Sequence, residues 1–177
     1  IVFFVMLFTG SWAQTYEKMD IVKPVLVGDS FPSVSLPWLV ARDSDPQGSH
    51  NLGGRASKVR VVDFWASWCR PCRGEVPNMK KNLELYGDQG FAIVGINLDN
   101  TLEACDKYVA QENLDWPNLF SKKTGEQGWN NPLVQYYGVS GIPTAILVDK
   151  EGKVVSLKAR GQELNRLLKD LLGEPKG

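Results

Sequence analysis

The chain has 177 residues, 43% apolar and 23% charged, enough for one globular domain with a sizeable core. Twenty Lys and Arg balance twenty Asp and Glu, so no net field draws it to a polyanion. That argues against a nucleic-acid binder, whose affinity rests on phosphate neutralisation.

Residues 1–8 form an apolar run, followed by Thr9, Gly10 and Ser11-Trp12-Ala13. The run is too short for a bilayer about 30 Å thick. Small residues at 11 and 13 suit a signal peptidase, so residues 1–13 read as a truncated signal peptide cleaved before Gln14. A buried N-terminal strand is the alternative. Export would carry the protein to a periplasm or cell envelope, where disulfides persist. Residues 14–24 read as a lead-in and 25–173 as the domain. "VGDSFPSVSLPWLV" is broken by Pro32 and Pro37, which suits edge strands. Residues 41–58, rich in Gly, Ser, Asp and Asn, read as a surface loop with His50 as a solvated member.

Alternating elements follow. "VRVVDFWA" (59–66) is a β-branched and aromatic run, hence a buried strand. A helix is predicted from about residue 69 to 86, with Val76, Met79, Leu83 and Tyr86 on one face. "FAIVGINL" (91–98) is a second buried strand. Residues 101–113 place Leu102, Cys105 and Val109 at helical spacing, with Asn100 available as N-cap. Cys105 reads there as a buried structural thiol, with a third redox partner as the alternative. Residues 130–138 suit a short helix capped by Asn131, with Pro132 in its first turn and Gly138 at its end. Residues 144–149 and 153–158 flank a "KEG" turn and form a hairpin. Residues 163–172 form an amphipathic closing helix with Leu164, Leu167, Leu168 and Leu171 inward. This order predicts an α/β fold, a mixed sheet with helices on both faces.

"VVDFWASWCRPCRGEVP" (61–77) carries the chemistry, and its C-x-x-C admits three readings. Zinc needs about four ligands, and no second pair is present to join Cys69 and Cys72. A structural disulfide closing so short a loop removes little entropy from the unfolded chain. A redox pair has a mechanism. Cys69 falls at a strand-to-helix junction, where the helix N-terminus favours its thiolate. Arg70 and Arg73 add positive charge, and Pro71 fits the first turn. Cys72, one turn on, can resolve a mixed disulfide.

The same segment, strand then W-C-x-P-C then helix, closely resembles the active-site segment of the thioredoxin fold. Pro77 matches the proline inside that family's active-site helix. "GVSGIPTAILVDKEGKVV" (138–155) resembles the second family signature, with Ile142-Pro143-Thr144 at the cis-proline segment. "CRPCRGEVP" is similar to the pattern of the TlpA/ResA-like, redoxin-related branch of exported thiol-disulfide oxidoreductases. "LVGDSFPSVSL", "NLDN" and residues 114–137 resemble that branch too, over roughly residues 25–172 in all.

The resemblance implies a thioredoxin fold with an added N-terminal β-hairpin and a helical insertion. It implies catalysis by Cys69 and Cys72, with proton transfer by Asp63 or Glu75. Trp68, Arg70 and Pro71 would meet the substrate together with Ile142, Pro143 and Thr144. Trp68 would shield Cys69, and Trp65 is equally suited to the core. The branch often carries Asn at the strand position, so having both carboxylates is a departure. Without a catalytic role, Asp63 reads as a hydrogen-bonded strand residue and Glu75 as an exposed first-turn carboxylate. No dissociable cofactor and no metal are implied. Partners would be protein thiols and disulfides plus a membrane thiol-disulfide electron donor, in a setting such as cytochrome c maturation. Two rivals remain: a thiol peroxidase of peroxiredoxin type, though no proline precedes Cys69 in its strand, and a non-catalytic thioredoxin-like adaptor.

Overall fold

The computed structural model describes residues 24–31, 39–40 and 58–176. The signal-peptide segment, most of the lead-in, the 41–57 loop with His50 and the middle of the expected hairpin lie outside the described residues. The elements are β1 (Leu39–Val40), β2 (Val59–Trp65), α1 (Arg70–Tyr86), β3 (Phe91–Asn97), α2 (Leu102–Glu112) and β4 (Asn118–Ser121). They continue with α3 (Pro132–Tyr136), β5 (Thr144–Val148), β6 (Val154–Ser156) and α4 (Gly161–Leu172). Short 3₁₀ turns follow α1 and precede α3.

The sheet has six strands in the order β1-β4-β3-β2-β5-β6. β2, β3 and β4 are parallel, while β5 runs antiparallel to β2, β6 to β5 and β1 to β4. β2 lies at the centre with every residue buried, as expected of a strand covered on both faces. Successive side chains alternate between the faces. Phe64 meets Tyr137, just past α3, on one side, and Trp65 meets Tyr108 of α2 on the other. The predicted α/β class with helices on both faces is therefore the observed one.

Each helix is held by recognisable local chemistry. α1 starts after Cys69, whose backbone is extended and whose sulfur accepts a hydrogen bond from the Cys72 amide. Its buried face is Cys72, Val76, Met79, Asn82 and Tyr86. Asn82 occupies the place expected of Leu83, because its amide nitrogen reaches Asn165 Oδ1 on α4 at 2.7 Å and Asn78 O at 2.8 Å. Leu83 is half-buried at the margin. α2 is capped by Thr101 rather than Asn100, its hydroxyl accepting from Ala104 N at 3.3 Å. Asn131 caps α3 as expected, accepting from Leu133 N at 3.0 Å.

Two expectations are corrected. Residues 114–137 contain a strand, β4, as well as the short helix. It was hidden because only Leu119 and Phe120 are apolar in its four residues. Leu171 is 39% exposed rather than inward; α4 buries Leu164, Leu167 and Leu168. Much of the segment likened to an N-terminal hairpin, residues 26–36, lies outside the described residues. Ser30 bridges Lys153 beside β6, whereas Leu39–Val40 pairs with β4.

Candidate active site

Cys69 and Cys72 are disulfide-bonded, with their Cα atoms 5.3 Å apart. The loop from β2 to α1 closes through Cys69 N–H to Ala66 O at 3.1 Å, and α1 begins with Arg73 N–H to Cys69 O at 3.1 Å. Cys69 Sγ accepts from Cys72 N at 3.2 Å, so the first sulfur is the cap of the helix. A sulfur there faces the positive end of the helix dipole, which favours a thiolate once the bridge is reduced. The two cysteines are 4% and 5% exposed, while Trp68 beside them is 56% exposed and Arg70 and Pro71 face solvent. The pair is thus nearly flush with a surface rimmed by an exposed indole and a cation.

Asp63 lies behind the pair on β2. Its neighbours across the sheet are Gly95 and Ala145, which leave room for a carboxyl group. Asp63 is buried, and its Oδ1 has no hydrogen-bond partner among the described residues. Burial raises its pKa from an ordinary 3.8 to about 7; the negative charge of Glu75 adds to the rise and Arg160 opposes it. Asp63, Trp65, Cys72, Arg73, Val76 and Tyr108 line one cavity of about 10 Å³, the room needed by roughly one water. A carboxyl group that titrates near neutrality therefore shares a compartment with the second cysteine.

Glu75 sits in the second turn of α1, half-buried rather than exposed in the first. Its Oε2 accepts from Gly161 N at 2.8 Å. α4 has no side-chain cap from its own Arg160, so Glu75 caps it from α1. Arg73 lies over the Tyr108 ring, 5.5 Å from its centroid. Ile142–Pro143 is a cis peptide. Thr144 pairs with Phe64 near the end of β2, which sets residues 142–144 at the end of the sheet where Cys69 leaves it. The Thr144 hydroxyl donates to Gly141 O at 2.6 Å. Cys105 is buried in α2, outside the bridge.

Sequence reasoning passed over two buried polar networks. Asp99 binds Ser67 and Asn97. Asn118 accepts from Trp65 Nε1 at 3.0 Å and donates to Trp116 O at 2.8 Å. Their one legible sign was polar residues bordering apolar strands. Among the described residues, no group of three or more His, Cys, Asp and Glu could hold a metal, and no helix is long and apolar enough to cross a membrane.

A central mixed sheet, a cysteine pair capping the helix after the middle strand and a cis-proline loop beside it define a thioredoxin fold. The thioredoxin-like family model matches residues 57–154, and the chain belongs to that family. It is 31% identical over 111 residues to the thiol-disulfide oxidoreductase ResA of Bacillus thuringiensis subsp. konkukian, covering 63% of this chain and 60% of the relative. The ResA of Geobacillus thermodenitrificans is 29% identical over 130 residues, covering 73% and 67%. The chain thus spans some three-fifths to two-thirds of the length of these curated relatives. Among solved structures, the thioredoxin domain of a Bacteroides vulgatus thiol-disulfide oxidoreductase superposes with a TM-score of 0.71 at 26% identity, over 84% of this chain and 99% of that one. A Chlorobium tepidum protein assigned as thiol:disulfide interchange protein DsbE gives 0.68 at 30% identity, over 84% and 99%.

Proposed function

We propose that the chain is an exported thiol-disulfide oxidoreductase that reduces protein disulfides through Cys69 and Cys72. The observation that carries this reading is the Cys69–Cys72 bridge at the start of α1, sharing a cavity with Asp63. The names of the ResA and DsbE relatives support the same chemistry.

In the reduced protein, the Cys69 thiolate attacks one sulfur of a substrate disulfide. A mixed disulfide forms and the other substrate sulfur leaves as a thiolate, which takes a proton. Asp63 accepts the proton of Cys72, whose thiolate attacks Cys69 Sγ. The second substrate thiolate departs, and the Cys69–Cys72 bridge forms. The departing thiolate takes the proton held by Asp63, so two electrons have passed to the substrate with one proton from Cys72 and one, on the first leaving thiolate, from solvent. A dithiol donor, a membrane thiol-disulfide protein in this reading, returns the pair to the reduced state. Trp68, Arg70 and Pro71 on one side and Ile142, Pro143 and Thr144 on the other flank the incoming polypeptide. Apocytochrome cysteines in an envelope compartment are the substrate setting that the ResA likeness favours.

Replacing Cys72 by Ser should leave substrate proteins covalently held on Cys69, recoverable by adding a reductant and visible on non-reducing gels. If the Cys72→Ser protein traps nothing, the exchange mechanism fails. The reduction potential of the wild-type couple sets the direction. A value near −270 mV or lower fits a reductase, and one toward about −120 mV overturns the proposed direction in favour of disulfide installation.

A further inference from the structure

Asp99, two residues beyond β3, is 1% exposed, and a buried carboxylate is costly unless donors surround it. Three donors do. Ser67 N lies 3.2 Å from Oδ1 and 3.1 Å from Oδ2, Ser67 Oγ donates to Oδ1 at 2.8 Å, and Asn97 Nδ2 donates to Oδ2 at 2.7 Å. The Asn97 amide cannot turn over without loss, because its Oδ1 accepts from Asp99 N at 3.0 Å.

Two of those three donors belong to Ser67, two residues before Cys69. Ser67 sits inside the turn closed by Cys69 N–H to Ala66 O at 3.1 Å. We infer that Asp99 is a positioning residue for the redox pair, anchoring the 66–69 turn through Ser67 so that Cys69 Sγ stays on the Cys72 amide at the head of α1. Losing the anchor lets the turn drift and weakens that sulfur's hold on the helix N-terminus. The Cys69 thiolate, and with it the reduced protein, loses stability. This role rests on the reading of Cys69 and Cys72 as a working dithiol couple.

Asp99→Asn is the incisive variant. One side-chain oxygen can still serve Ser67, but the new NH₂ faces the Asn97 NH₂, so one donor loses its acceptor. The Cys69 thiol pKa, read from thiolate ultraviolet absorbance, should rise. The equilibrium with a dithiol buffer should move about tenfold toward the disulfide, a potential about 30 mV more negative. Removing a negative charge alone would push both readouts the other way, so the sign separates positioning from charge. Ser67→Ala keeps the charge and loses one bond, and should move both readouts in the positioning direction by less. It decides the matter should Asp99→Asn fail to fold. Unchanged or oppositely shifted values in a folded variant, beside a normal wild type, overturn the role of Asp99. A wild type without a reversible couple overturns the dithiol reading itself.

Discussion

Asp63 holds a carboxyl group in the middle of a sheet, and its protonation links chemistry to stability. Its folded pKa of about 7 lies above the ordinary 3.8. Between those values the folded chain keeps a proton that the unfolded chain has lost. Asp63 therefore withdraws stability as pH rises through that window, and the deficit is complete above it. Replacing Asp63 by Asn should raise urea resistance at pH about 8 by on the order of a few kcal/mol, and change it little near the acid end of the window. The same substitution should slow resolution of the mixed disulfide about 10²-fold at neutral pH and abolish the inflection near pH 7 in stopped-flow exchange. A variant no more stable than wild type at the higher pH would refute the burial account. The cysteines could be read from sequence because their meaning is local, an apolar strand followed by C-R-P-C. The surroundings of Asp63 could not, because Gly95 and Ala145, its neighbours across the sheet, are far away along the chain.

Helix ends were the least legible elements, for a related reason. α4 starts without a side-chain cap of its own, and its missing acceptor is Glu75 on α1. That one carboxylate does two jobs that substitutions can separate. Glu75→Gln keeps an acceptor for the Gly161 amide and removes the charge that helps raise the Asp63 pKa. The exchange inflection should move to lower pH with little loss of stability. Glu75→Ala should shift the inflection likewise and cost about 1 kcal/mol more, the usual loss of a cap, measured by urea unfolding. β4 escaped notice because Asn118 and Ser121, at its two ends, are polar residues buried by their neighbours. By contrast, the courses of α1, α2 and the β5–β6 hairpin were legible, since their periodicity and turn residues agree with their final environment, although α2 takes Thr101 as its cap in place of Asn100.

Across the whole molecule, the parallel core depends on one residue that lacks a side chain. A Cβ on Gly95 would lie 2.2 Å from Asn118 Oδ1 and 2.7 Å from Trp65 Nε1. Asn118 is tied at both ends, to Trp65 and to the Trp116 carbonyl, and has nowhere to retreat. Gly95→Ala should therefore cost about 1–3 kcal/mol, seen as a melting temperature lower by several degrees. An unchanged melting temperature would show that the Trp65–Asn118 bracket is soft.

The segment ahead of the core also has a colloidal consequence. One part of it, Leu39–Val40, lies along β4, and another, residues 28–31, bonds to the backbone around Val154. β4 and β6 thereby each have a neighbour from the chain's own backbone, and the outermost stretches on either side are short. A long open margin would template pairing with a second molecule, and a margin only a few residues long is a poor template. Among the described residues, the segment before β2 thus shortens the margins a second molecule could pair with, a consequence that no feature of the redox site would reveal.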